Sequence, residues 1–134
     1  MIATNTFKIY FDGGYQGRGR MYGSWEIEHN GFSKKVSRVP LRLDFPGRDS
    51  CNTAEYLSLL AALEWLRSVK HPKRYRLEIQ SDSELLVKQV AGECRCHKQH
   101  LKELCGRVRG HLVRFDDAQI SWRRRHHNVA RFGH

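Results

Sequence analysis

The chain has 134 residues, of which 40% are hydrophobic and 28% are charged. This length and composition are typical of one folded domain with its own core, and they exclude a disordered chain. Its 24 Lys and Arg residues outnumber 14 Asp and Glu residues, and the formal net charge is +10. Such an excess indicates a polyanionic partner, nucleic acid before anionic membrane, although basic charge that serves solubility alone is the alternative.

The sequence gives no sign of a membrane span or of export. No apolar run approaches the ~20 residues that a membrane-spanning helix needs, and residues 1–6 lack the layout of a signal peptide. The four cysteines are therefore expected to be reduced thiols in the cytoplasm. A zinc site over residues 94–100 is disfavoured, because the Cys and His spacing there does not match that of zinc fingers.

The first third of the sequence predicts three strands and a loop. The strands are expected over residues 7–12, 22–28 and 32–39, and the loop over residues 40–49. Apolar residues alternate along the first strand, which is expected to end at Asp12 because Gly13-Gly14 follow it. Asn30-Gly31 is a typical two-residue hairpin turn between the second and third strands.

The remaining sequence alternates between helices and strands. A helix is expected to begin at Asn52 and to end before His71-Pro72, because its leucines and alanines repeat at helical spacing. The later elements are a strand over residues 75–81, helices over 83–91 and 100–113, and a strand over 118–122. A basic tail, residues 123–134, ends the sequence given.

This order, βββαβααβ, predicts an α/β fold. Three consecutive strands form an antiparallel meander, and a strand–helix–strand unit adds parallel strands by a right-handed crossover. We therefore expect a five-stranded mixed sheet, flanked by helices, in a single domain over residues 1–134.

Three carboxylates are placed to meet at one edge of this sheet. Asp12 ends the first strand, Asp82 follows the fourth, and Glu55 lies near the start of the first helix. If the two strands are parallel neighbours, both aspartates emerge at the edge where ligands of α/β sheets bind. Converging carboxylates stay ionised only around a cation, and hard oxygen ligands suit Mg²⁺ or Mn²⁺. Two such ions can drive phosphodiester hydrolysis.

Each carboxylate also has a purely structural interpretation. The pairs Asn52/Glu55 and Ser81/Glu84 both have the spacing of a helix capping box. Asp82 suits a helix N-terminus, and Asp12 suits a turn before two glycines.

The local sequences around the three carboxylates resemble the ribonuclease H family, type 1, and specifically its short bacterial and archaeal members. The matching segments are residues 10–14 (YFDGG), 52–56 (NTAEY) and 80–86 (QSDSELL). The resemblance extends over nearly the whole chain. It implies a metal-dependent endonuclease that hydrolyses the RNA strand of RNA–DNA hybrids with two Mg²⁺ or Mn²⁺ ions and leaves 5′-phosphate ends.

The resemblance also implies roles for individual residues. Asp12, Glu55 and Asp82 match the metal-binding carboxylates of the family. Gly13 and Gly14 match a turn where the backbone approaches the RNA strand, and Asn52 matches an Asn that reads the 2′-hydroxyl region. Ser83, Arg125 and Asn128 complete the expected substrate-binding set. An RNA–DNA hybrid is the expected partner of a monomer, with no membrane and no obligate protein partner.

The tail departs from the family pattern at the fourth metal ligand. The family normally has an Asp in a final Asn-x-x-x-Asp stretch, but Phe132 stands four residues after Asn128. We expect His134 to take this place, because two extra residues bring it into line and Gly133 allows a turn. Alternatives are Asn128 as the ligand, or a frayed tail without the usual last helix. His126 or His127 is a candidate proton shuttle.

Two other functions stay open at this point. A nucleic-acid-binding module could keep the fold and lose catalysis, as the altered tail suggests. A related nuclease could act on another nucleic-acid structure, such as a DNA junction. The three acidic positions favour catalysis, and Asn52 with the two glycines favours a hybrid substrate.

Overall fold

A computed structural model describes residues 5–134 of the chain, so most of the segment inspected for a signal peptide lies outside the described residues. Five strands form one sheet: β1 (Thr6–Tyr15), β2 (Met21–His29), β3 (Phe32–Leu41), β4 (Arg76–Ser81) and β5 (Asp117–Trp122). Four α-helices accompany it: α1 (Cys51–Val69), α2 (Glu84–Ala91), α3 (Gln99–Leu112) and α4 (Arg125–Phe132). A short 3₁₀ turn, Pro72–Arg74, precedes β4.

The strand order is β3-β2-β1-β4-β5, which confirms the expected mixed sheet. β1 pairs antiparallel with β2 and parallel with β4, and β5 extends the parallel part. Asp12 lies in the C-terminal half of β1, and Asp82 follows the C-terminal end of β4. Because these two strands are parallel neighbours, both residues lie at the same edge of the sheet. We call this the carboxyl edge, because β1, β4 and β5 all run towards it.

The core lies between the sheet and the α1 side of the molecule. Alternate residues of β1 are fully or almost fully buried there (Phe7, Ile9 and Phe11), together with a row of α1 leucines. The intervening β1 residue Tyr10 faces the opposite side, where the guanidinium of Arg131 in α4 lies 3.5 Å from its ring centre. The sheet thus separates α1 from α4.

Several element boundaries differ from the sequence-based expectation. β1 does not end at Asp12 but continues to Tyr15, because the two glycines remain extended and pair with β2. β3 reaches Leu41 through Pro40, which an edge strand tolerates. Tyr75 precedes β4 rather than belonging to it.

The ends of α1 and α2 exclude both proposed capping boxes. Ser50 caps α1 by accepting a hydrogen bond from the Thr53 amide, so Glu55 is the fifth helical residue and lies outside any box with Asn52. Ser83 caps α2 by accepting from the Leu86 amide, and Glu84 is the first helical residue. Ser81 instead accepts a hydrogen bond from the Ser83 amide.

The tail contains a helix that the sequence left in doubt. α4 spans eight residues, and the side-chain amide of Asn128 donates a 3.1 Å hydrogen bond to the Phe11 carbonyl of β1. Among residues 5–134, no helix is long and apolar enough to cross a membrane.

Candidate metal centre at the carboxyl edge

Three carboxylates meet at the carboxyl edge. Asp12, Glu55 and Asp82 each offer an oxygen, and these three oxygens all lie within 4.8 Å of one another. Asp12 is contributed by β1, Glu55 by α1, and Asp82 by the turn between β4 and α2. Among the described residues, this is the one group of His, Cys, Asp and Glu side chains arranged to hold a metal ion.

A close contact between β1 and α1 brings Glu55 to Asp12. The Gly13 amide donates a 3.2 Å hydrogen bond to Glu55 Oε2. A Cβ atom at Gly13 would lie only 2.3 Å from the carbonyl carbon of Ala54, so a side chain there would force the strand and the helix apart. Gly13 therefore fits a close approach within the protein, and not the turn that the sequence suggested.

The carboxylates carry charge that the protein does not balance. Burial, followed by repulsion from Asp82, raises the pKa of Asp12 to about 7. Burial and the negative charges of Asp12 and Asp82 also raise the pKa of Glu55 well above its ordinary value. Within residues 5–134, the group within ion-pair distance of this cluster is a histidine, His134, which carries charge only if protonated, rather than a Lys or Arg. Buried carboxylates of this kind fit a bound divalent cation.

His134 lies directly beside Asp12. Its Nδ1 atom is 3.1 Å from Asp12 Oδ2, and its side chain is only 5% exposed. Its Nε2 atom is 2.6 Å from the hydroxyl of Ser24, which also accepts a hydrogen bond from the Arg38 amide. Burial, with a smaller effect of Arg38, lowers the pKa of His134 and favours the neutral imidazole that a metal requires.

The α4 helix and a final turn place His134 there. Gly133 ends α4 in the left-handed conformation, with φ of 78°, and directs the chain back towards β1. Phe132, the residue at the ungapped position of the family Asp, is buried and belongs to the packing of α4. His134 also contacts the ring of Tyr22, with centroids 5.1 Å apart.

The other predicted site residues are more dispersed. Asn52 is exposed on the first turn of α1, and Arg125 is exposed at the start of α4. The Ser83 hydroxyl caps α2, and Gly14 packs against the ring of Tyr22. Asn128 is buried and anchors α4 through its amide nitrogen.

The two alternative histidines lie on the surface rather than among the carboxylates. His126 and His127 are exposed neighbours, with ring centroids 4.1 Å apart.

Ser24 and Trp122 contact the site but were missed in the sequence. Ser24 pairs with Asp12 across β1 and β2, and a turn centred on Arg18 would have predicted this register. The indole nitrogen of Trp122 donates a 3.2 Å hydrogen bond to the Asp82 carbonyl. No sequence pattern distinguished this contact from ordinary packing.

Comparison with known proteins identifies the family. A family model described as "Reverse transcriptase-like" matches residues 40–131. The crystal structure of RNase H1 from the halophilic archaeon Halobacterium salinarum is 30% identical, with a TM-score of 0.73, and the alignment covers 92% of this chain and 89% of that one. The chain belongs to the ribonuclease H family, type 1.

Two further ribonuclease H structures share the fold at lower identity. The N-terminal RNase H domain of a Mycobacterium tuberculosis protein has a TM-score of 0.75 at 22% identity, and the alignment covers 92% of this chain and 91% of that one. LC11-RNase H1, solved in complex with an RNA/DNA hybrid, has a TM-score of 0.74 at 24% identity and coverage of 92% and 89%. No significant match was found among curated protein sequences.

Proposed function

We propose that this ribonuclease H family member is an endonuclease that hydrolyses the RNA strand of RNA–DNA hybrids with two divalent ions, Mg²⁺ or Mn²⁺. The observation that carries the proposal is the convergence of Asp12, Glu55 and Asp82 within 4.8 Å at the carboxyl edge. Family membership and the solved hybrid complex of LC11-RNase H1 support the substrate. The net charge of +10 supports a polyanionic ligand.

The three carboxylates are proposed to hold the ions, and the protein around them keeps their geometry fixed. When bound, the ions supply an activated water and stabilise the leaving oxygen. Asp12 is fixed by β1, and Glu55 is oriented by the Gly13 amide. Asp82 is steadied through its carbonyl by Trp122. Asn52 is proposed to contact the 2′-hydroxyl that distinguishes RNA from DNA, since it lies exposed three residues before Glu55.

We assign the fourth position of the metal site to His134. Its Nδ1 atom lies 3.1 Å from Asp12 Oδ2, and the Ser24 hydroxyl holds its other nitrogen. A hydrogen bond to the second ring nitrogen is the usual device that orients a metal-binding His. Because imidazole is softer than a carboxylate, this site should favour Mn²⁺ over Mg²⁺ relative to an all-carboxylate site.

A cleavage assay with three labelled substrates tests the proposal. We expect the RNA strand of the hybrid to be cut with Mg²⁺ or Mn²⁺, RNA and DNA duplexes to stay intact, and EDTA to stop the reaction. The products should carry 5′-phosphate and 3′-hydroxyl ends. Binding of hybrid without cleavage under all metal conditions would instead support a binding module, and preferential cleavage of a DNA junction would support a different nuclease.

A further inference from the structure

A basic cavity lies beside the proposed metal site. An open cavity of about 500 Å³ is formed by the end of β3, the start of β2 and the turn that precedes β2. Its charged lining residues are Arg20, Arg38 and Arg42, and no Asp or Glu takes part in the lining. We call this feature the arginine cavity.

The three arginines have no ion-pair partner among residues 5–134. All three are exposed, and none forms a salt bridge with a described carboxylate, whereas Arg76, Arg107 and Arg131 each do. Asp49 approaches the turn at Gly19 but is not part of the cavity lining. Three unpaired cations around one concave surface form a site for an anion with several charges.

One wall of the arginine cavity, the ring of Tyr22, also contacts His134. The guanidinium of Arg38 lies over the ring of Tyr22, 5.3 Å from its centre, and the other contacts of that ring include His134. Arg38 also has a left-handed backbone, with φ of 50°, at the irregular pairing of β2 with β3. Its amide thereby reaches the Ser24 hydroxyl, which holds His134.

Position along the sheet suggests the nature of the anion. β3 is two strands away from β1 at the carboxyl edge, which corresponds to about 10 Å. One nucleic-acid strand advances ~3.4 Å per nucleotide along the duplex axis, and successive phosphates lie farther apart than this rise, so the separation corresponds to about two or three nucleotides. On the other side of the carboxylates, Arg123, Arg124 and Arg125 follow β5. Basic groups thus flank the carboxylates along one line.

A larger cavity on the α4 side is a weaker candidate. It has a volume of about 690 Å³ and contains Lys8, Lys35 and Arg123, but Glu26 and Glu28 also line it. Arg131 in that cavity is already paired with both glutamates. The two glutamates would repel a phosphate. The arginine cavity has no carboxylate in its lining and would not repel one.

We propose that the arginine cavity binds the sugar–phosphate backbone of the nucleic-acid substrate about two or three nucleotides from the scissile phosphate. The proposal rests on the proposed function, since it extends the path of the same substrate. Arg20 and Arg42 would contact phosphate oxygens. Arg38 would lie between that phosphate and the ring of Tyr22, which it already contacts. The site would read backbone charge and not base sequence.

The test measures hybrid binding in EDTA, so that cleavage plays no part. The variant is Arg20→Gln/Arg42→Gln, and the matched control is Arg74→Gln/Arg114→Gln, which removes the same charge from exposed residues that precede β4 and β5 at the opposite edge. The wild type should show a steep fall in affinity with salt. We expect the slope of log affinity against log salt to shrink by about 0.9 for each cavity arginine removed. The control should keep the wild-type slope.

Hybrids with a single neutral methylphosphonate linkage then locate the contact. The wild type should lose affinity when the neutral linkage lies about two or three nucleotides to one side of the cleaved bond, and the cavity variant should show no further loss there. Two results would overturn the proposal. One is an equal salt slope of affinity for the cavity variant and the control variant. The other is an affinity loss from the methylphosphonate that is as large in the cavity variant as in the wild type at every position. Failure of the proposed function would be distinguishable, since the wild type would then not cleave hybrid at all.

Discussion

At the scale of single residues, the metal-free site is dominated by repulsion between carboxylates. Asp12 and Glu55 are buried at 4% and 7% exposure, and each raises the cost of ionising its neighbours. The imidazole of His134 lies beside Asp12 but does not balance its charge, because burial lowers the pKa of His134 and favours the neutral form. A divalent cation would relieve this repulsion. The protein without the cation should therefore have a lower free energy of unfolding than the protein with it.

Asp12→Asn should stabilise the metal-free protein, and more so at pH 8 than at pH 5. The pKa of Asp12 rises on folding from 3.8 to about 7, so the unfolded chain binds fewer protons in this interval. The free energy of unfolding therefore falls as pH rises from 3.8, and the loss is complete above pH 7. The gain should be on the order of 2 kcal/mol at pH 8.

Thermal melts in EDTA at the two pH values measure this gain. Asp117→Asn, at an exposed position, is the control and should show no such dependence. A pH-independent effect of Asp12→Asn would contradict the repulsion, and added Mn²⁺ should stabilise the wild type more than the variant.

His134→Ala should weaken Mn²⁺ binding by at least about tenfold. Calorimetry measures the dissociation constant of Mn²⁺ for the wild type and the variant. Cleavage rates of both proteins are measured in Mg²⁺ and in Mn²⁺. Asn128→Ala should instead lower the melting temperature, because Asn128 anchors α4 to the Phe11 carbonyl. If His134→Ala keeps full metal affinity and activity while Asn128→Ala loses both without unfolding, the fourth ligand is Asn128.

At the scale of elements, the contact between β1 and α1 sets the geometry of the site. The strand and the helix approach so closely at Gly13 that no side chain fits, and the same contact carries the hydrogen bond to Glu55. A helix dipole or a cap does not place Glu55, since it is the fifth residue of α1. The packing of β1 against α1 therefore brings Asp12 and Glu55 together.

Gly13→Ala should destabilise the protein by about 1–3 kcal/mol and reduce metal affinity, because β1 and α1 must separate. Gly106→Ala is the matched control, since a Cβ there meets nothing within 4 Å and the residue lies inside α3. It should stabilise the protein by about 0.5–1 kcal/mol. Chemical denaturation measures both, and equal effects of the two substitutions would argue against the close contact.

Substitutions at Phe132 and His134 test which of these two positions corresponds to the family's terminal Asp. Phe132→Asp would place a charge in a buried position and should unfold α4 without restoring a ligand. His134→Asp would place a carboxylate beside Asp12 and should raise activity with Mg²⁺ relative to Mn²⁺. The ratio of cleavage rates in the two metals is the measurement. Higher Mg²⁺ activity in Phe132→Asp would contradict the position assigned to His134.

The elements show what a sequence pattern can and cannot predict. Alternating apolar residues identified β1, and periodic leucines identified α1, because burial on one face dictates both patterns. The end of β1 was placed too early, since glycines that usually break a strand are needed here for close packing. α4 was not predictable from its basic sequence, because tertiary contacts such as that of Asn128 hold it.

At the scale of the whole molecule, the fold concentrates its chemistry along one edge. β1, β4 and β5 all run towards this edge, where Asp12 of β1, Asp82 after β4 and Glu55 of α1 meet, with basic residues on either side. The convergence of Asp12 and Asp82 could be predicted from strand order alone. The contacts of Arg38 and Trp122 could not, because they depend on a strand irregularity and on packing between elements distant in sequence.

Cleavage of an end-labelled RNA–DNA hybrid by Asp82→Asn and by the wild type shows whether Asp12, Glu55 and Asp82 form a catalytic metal site. Asp82 is the least buried of the three carboxylates, so its amide variant should keep the fold, as a circular dichroism melt would verify. We expect cleavage by the wild type in Mn²⁺ or Mg²⁺ and a rate more than about 100-fold lower in the variant, because the attacking water is misplaced. Cleavage by a folded Asp82→Asn variant at close to the wild-type rate would contradict it.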